Sequence, residues 1–150
     1  MNGQIITDTK EKLTEEGIKN SNVKLIKAGT TLLSFKLSIG KTAIAGADLY
    51  TNEAIAALEP QDDRVLDGYL YCFFNSNILD LTNVGNKAFG KSLNSTYLKE
   101  EVSIPLTPIN IQQKIIDECK LVDEEYTSTR MEIETYKQRI AEIFRNLEVI

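Results

Sequence analysis

The 150-residue chain has no histidine and two cysteines, Cys72 and Cys119. The missing imidazole excludes Ser-His-Asp and Cys-His nucleophilic catalysis and removes the commonest metal ligand. The cysteines lie far apart, outside any CxxC, and cannot complete a Cys/His zinc site. They read as two reduced core thiols. No P-loop or dinucleotide-type glycine motif is present. The expectation is therefore a non-enzyme with no catalytic residue, no metal and no cofactor. What remains are residues suited to binding. Lys36, Ser38, Lys41 and Thr42 surround a short turn. Asn86, Lys87, Lys91, Ser92 and Asn94 form a second polar, basic cluster, with Phe89 inside it and Gly85 and Gly90 able to turn the backbone sharply. Asn52 stands by itself. Lysine neutralises phosphate, while Asn, Ser and Thr pair with base edges. The same residues serve equally well in solvated loops, and Asn52 in a turn cap.

These residues need elements to hold them. Apolar residues make up 42% and charged residues 26%, the composition of a globular domain with a core. No stretch approaches the ~18 apolar residues of a membrane span. The opening MNGQIITDTKEK has no apolar signal core, so the cytoplasm is the expected location. Thr30–Lys36 and Lys41–Ala45 predict a hairpin-like strand pair, and Glu53–Leu58 a third strand ended by Pro60. Arg64–Asn75 reads as a helix from Val65, Tyr69, Cys72 and Phe73, with Gly68 costing about 1 kcal/mol relative to Ala. Thr14 could cap one helical turn, and Asn94 or Ser95 another running through Leu98. A short helix at Asn77–Leu81 and a short strand at Val102–Ile104 are further expectations.

From Thr107 the pattern changes. Thr107 is a good N-cap, Pro108 suits the first helical position, and no glycine or proline follows. Ile115, Cys119, Val122, Tyr126, Thr129, Ile133, Tyr136, Ile140, Ile143, Leu147 and Ile150 repeat at strict 4-3 spacing, with Thr129 the only polar member. The pairs Asp117–Lys120, Glu134–Lys137 and Glu142–Arg145 support a solvent face. The spacing predicts one helix over 107–150, ~60 Å long. A rod of that length outreaches a small preceding domain, so its apolar seam is expected to pair with another helix as a coiled coil. The alternative is a seam folded back on its own globular part.

Three segments resemble type I restriction-modification specificity subunits. They are Gly29–Lys41 (GTTLLSFKLSIGK), Thr51–Ile55 (TNEAI), and Gly85–Leu93 (GNKAFGKSL) leading through Leu98 to Ile104–Ile115 (IPLTPINIQQKI). The last, an IPLxPxxxQ-like element joining a mixed α/β region to a long helix, is the most specific. The resemblance implies an α+β fold: a small, mixed, β-rich target-recognition domain at 1–106, then a spacer and dimerisation helix at 107–150. It implies a non-catalytic component that reads half of a bipartite site in double-stranded DNA beside methyltransferase and restriction subunits. A full subunit has two recognition domains and two spacer helices, whereas this chain has one of each. It also lacks the tryptophan-containing strands expected before Gln4–Ile18. The expectation is thus a half-subunit that homodimerises through its helix, with Thr129 or Ile133 near the two-fold axis. A coiled-coil interaction module that does not bind DNA is the competing reading.

Charge tempers the DNA reading. The net charge is −5. Residues 108–150 hold nine acids and six bases, and the rest thirteen and eleven. Setting the helix aside uncovers no basic domain, so affinity from this chain alone is expected to be weak and steeply salt-dependent.

Overall fold

The computed structural model describes residues 5–36, 38–81, 94–129 and 133–149, the side chain of Glu134 excepted. Its elements are β1 (Ile5–Ile6), α1 (Glu15–Lys19), β2 (Thr31–Ser34), β3 (Thr42–Ala45), β4 (Ile55–Leu58), α2 (Asp67–Asn75), α3 (Ser95–Glu100), α4 (Ile109–Thr129) and α5 (Ile133–Asn146). The class is α+β, with a long helix following the sheet, as the sequence predicts.

The sheet runs β1-β3-β2-β4. β2 pairs antiparallel with β3 (Thr31 opposite Ile44) and with β4 (Thr31 opposite Leu58). The predicted hairpin and third strand are therefore both present. β2 is buried throughout because it is sandwiched. Leu33 joins the main core beneath the helices, while Leu32, with Ile26 and Ala45, forms a small cluster on the opposite face. β1 adds a parallel edge beside β3 (Ile5 opposite Ile44), which two residues could not announce in sequence. Gly46 permits that approach, since a Cβ there would lie 2.5 Å from the Ile5 side chain.

Local signals set the helix ends. The Thr14 hydroxyl accepts from Gly17 N and opens α1, and Asn94 accepts from Tyr97 N and opens α3. Asn77–Asp80 is turn and bend rather than helix, with Asn77 at φ 58°, Leu81 is helical, and Val102–Ile104 pairs with no strand among the described residues. Thr107 does not cap α4. Pro108 O accepts from Gln112 N, and the Thr107 hydroxyl is buried beside Tyr69 instead.

The main correction concerns the C-terminal third. The predicted single helix over 107–150 is two helices. α5 packs back along α4 in the opposite direction. Tyr136 donates to Asp123, Arg139 pairs with Glu125, and the Tyr126 and Tyr136 rings stand 4.8 Å apart. In one continuous helix Tyr126 and Tyr136 would be ~15 Å apart. The seam is covered from within: Ile115, Cys119, Val122, Tyr136, Ile140 and Ile143 are buried in the chain's own core. Tyr126 and Leu147 are partly covered, and Thr129 and Ile133, which flank the reversal, are exposed. α5 also buries Ala141 and Phe144, a stripe wider than a two-stranded seam uses. The Phe144 ring lies 5.8 Å from Tyr69 and 5.9 Å from Phe73 of α2.

Candidate functional site

The binding residues predicted from sequence divide into three groups. Lys36, Ser38 and Lys41 lie on the turn joining β2 to β3. Gly40, at φ 82°, closes it, donating to Ser34 O at 2.9 Å. Both lysines are exposed, and among the described residues neither has an ion-pair partner. Lys12, Lys27 and Arg64, by contrast, are paired with Asp8, Asp48 and Asp62. Asn52 reaches the same end of the sheet. Its carboxamide oxygen accepts from Ala54 N at 3.0 Å, and Ala54 O accepts from Phe35 N, bracing its turn against the β2–β3 turn. Asn52 therefore caps a turn while remaining exposed. Glu53 is exposed beside it and lowers the local positive potential.

The second group turns away from that end. Thr42 is half-buried and donates to Asn75 Oδ1 at 3.1 Å, and Asn94 is occupied as the cap of α3. The third group, Asn86, Lys87, Lys91 and Ser92, lies outside the described residues.

Two arrangements that position the site escaped sequence reasoning. The first is Gln112, fully buried at the start of α4. Its Nε2 donates to Arg64 O (2.7 Å) and Thr107 O (2.8 Å), and its Oε1 accepts from Leu66 N (2.9 Å). Tyr69 adds a bond to Pro105 O at 2.8 Å. The Ile104–Gln112 element is thus a knot that fastens the entry to α2, the extended approach strand and α4 to one another. A glutamine on the buried face of an otherwise apolar stripe was the available signal.

The second is a polar chain across the helices. Asn75 bridges Thr42 to the hydroxyls of Tyr71 and Tyr136, and Tyr136 donates to Asp123. Burial pushes the Asp123 carboxyl up to about 6, with the Tyr136 hydrogen bond opposing the rise. Burial also raises the Tyr71 and Tyr136 hydroxyls, which therefore stay protonated as donors. Beside this chain Cys72 and Cys119 come together between α2 and α4. Both are free and buried, and both border a cavity of about 560 Å³. The hydrogen bond to Cys119, with burial, holds the Cys72 thiol well above its usual range, which makes it a poor nucleophile. Among the described residues no His, Cys, Asp or Glu cluster could hold a metal, and no helix is long and apolar enough to cross a membrane.

Comparison with known proteins bears on the family and the fold. The chain is 28% identical over 143 residues to the type I restriction enzyme MjaIX specificity subunit of Methanocaldococcus jannaschii, covering 94% of this chain and 33% of that protein. The crystal structure of the HsdS subunit from Thermoanaerobacter tengcongensis shares the fold, with a TM-score of 0.50 and 20% identity over 82% of this chain and 30% of that one. The chain thus spans about a third of the length of these relatives. The type I restriction modification DNA specificity domain matches residues 2–147. With nearly every residue inside that match, the chain belongs to the type I restriction modification DNA specificity domain family.

Proposed function

We propose that this chain reads one half of a bipartite DNA target for a type I restriction-modification complex, using the end of the sheet that carries Lys36, Ser38, Lys41 and Asn52. The supporting observation is that two exposed lysines, without an ion-pair partner among the described residues, share one end of the sheet with an exposed asparagine. Lysines at a turn suit phosphate, and asparagine suits adenine. Thr42 and Asn94 serve through their structural bonds, and Asn86, Lys87, Lys91 and Ser92 are kept as candidate DNA contacts on their chemistry. In this reading residues 1–106 are the recognition unit and 107–150 the spacer, and the chain works in the cytoplasm as a pair of copies. It catalyses nothing. Methyltransferase and restriction subunits supply the chemistry, and the methyltransferase supplies most phosphate contacts, because a chain of net charge −5 holds duplex DNA weakly. The test is selection of bound duplexes from a random pool with the cognate methyltransferase present. Enrichment of one split sequence is expected; a pool left random at low salt would contradict the proposal.

The same net charge favours a second reading, an interaction module that docks on partners without touching DNA. Replacing Lys36, Lys41, Lys87 and Lys91 by Ala separates the two. A DNA reader loses affinity and salt dependence, and an interaction module keeps its partner binding unchanged.

A further inference from the structure

Asn75, the last residue of α2, is half-buried and uses both ends of its carboxamide. The oxygen accepts from the Thr42 hydroxyl at 3.1 Å. The nitrogen donates to the Tyr71 hydroxyl at 3.4 Å and to the Tyr136 hydroxyl of α5. Tyr136 donates in turn to Asp123 of α4. One end of this chain fixes its direction. An ionised carboxylate only accepts, so Tyr136 spends its single proton on Asp123 and offers Asn75 a lone pair. Asn75 must then turn its nitrogen toward Tyr136 and its oxygen toward Thr42.

Thr42 opens β3 and directly follows Lys41. The turn before it is closed by backbone bonds within the turn itself: Gly40 N to Ser34 O at 2.9 Å, Lys41 N to Ser38 O at 3.2 Å and Ser34 N to Lys41 O at 2.9 Å. Ile39 adds an apolar contact with the main core. Among the described residues, the Thr42–Asn75 bond is the one side-chain hydrogen bond that ties this stretch to the helices. We infer that Asn75 is a positioning residue for the DNA-reading turn: through Thr42 it sets where Lys41 stands, and through Tyr136 it makes that placement depend on how α5 seats against α4. The inference rests on the reading surface proposed above. A lysine on a loosely held turn has to be ordered when it meets phosphate, which weakens the contact. A turn tied to the helices is ordered beforehand.

Four variants of the full chain test this. Thr42→Val removes the hydroxyl and keeps a β-branched side chain, while Thr42→Ser keeps the hydroxyl and loses the methyl. Asn75→Ala removes the tie from the other side. Tyr136→Phe removes only the far hydroxyl and leaves the ring against Tyr126. Hydrogen exchange is followed at the Ser34, Gly40 and Lys41 amides, with the Ile115 and Cys119 amides of α4 as reference. The turn amides should exchange about fivefold faster relative to that reference in Thr42→Val and Asn75→Ala. They should rise by less in Tyr136→Phe and stay unchanged in Thr42→Ser. A rise matched by the α4 amides, a loss in Thr42→Ser as large as in Thr42→Val, or no response to Tyr136→Phe would overturn the inference. Duplex binding with the methyltransferase present gives a second readout. Lys41→Ala lowers the salt slope by about 0.9 per copy of the chain. Adding Thr42→Val to Lys41→Ala should weaken binding no further, and a fully additive loss would overturn the inference. Unchanged binding by Lys41→Ala would instead refute the reading surface, while the exchange result still decides whether Asn75 ties the turn to α5.

Discussion

Gln112 shows how much one side chain can fix. Among the described residues it is the one hydrogen-bond partner of three backbone groups from two other segments, and it is fully buried. Gln112→Leu fills the same space but strands Leu66 N, Arg64 O and Thr107 O, which should cost roughly 2–4 kcal/mol. For a chain of this size that is a fall of about 5–12 °C in Tm by calorimetry; an unchanged Tm would mean those groups find other partners. Asp123 makes a separate prediction. Its ordinary value is 3.8 and burial lifts it to about 6 in the fold. The folded state thus binds the proton more tightly than the unfolded chain. The stability this gives is fully present below pH ~4 and is lost as pH rises through ~6. Asp123→Asn keeps an acceptor for Tyr136 and removes the titration. Its melts should lose this slope between pH 4 and 6 and gain on the order of 1 kcal/mol at pH 7, the shift being discounted for partial exposure. A variant with the wild-type slope would place the titration elsewhere. The sequence displayed Gln112 within a recognisable element, but not its role. Backbone partners distant in sequence leave no mark on the residue that will bond them.

At the scale of elements, the hairpin, the third strand, α2 and two caps were legible because each is encoded locally, by β-branched runs, helical spacing, and Thr or Asn at a helix start. The reversal after Thr129 was not. A seam of period 3.5 says that a partner helix exists and is silent on whose it is. Ala141 and Phe144 beside Ile140 and Ile143 did carry the information, since a stripe that wide suits a globular body better than a narrow coiled-coil interface. Phe144 is fully buried between α2 rings. Phe144→Ala should cost about 3–5 kcal/mol and loosen α5 first, seen as early exchange of its amides. If α5 amides remain as protected as those of α4, α5 is held by something other than this ring. β1 was illegible for the opposite reason. Two residues carry no periodicity, and only the close approach at Gly46 lets them pair.

At the scale of the molecule, the proposed reading surface lies at one end of the sheet, whose β2 and β3 pack against α2. Its electrostatics are spare: a net charge of −5, with Lys36 and Lys41 presented at a turn and Glu53 close by. In the proposed reading, discrimination comes from few contacts and affinity from partners. Six of the ten candidate DNA residues lie among the described residues, and four of these, Lys36, Ser38, Lys41 and Asn52, share one end of the sheet. Turn chemistry made these legible, whereas the bond of Thr42 to Asn75 is a tertiary pairing that spacing does not reveal.

The most direct test is the salt dependence of duplex binding, with the methyltransferase present, by the wild-type chain and by Lys36→Ala/Lys41→Ala. Each phosphate contact contributes about 0.9 to the slope of log K against log salt. The double variant should bind more weakly at every salt concentration, with a slope shallower by about 1.8 per copy of the chain. Identical slopes and affinities for the two proteins would contradict a reading surface at this end of the sheet.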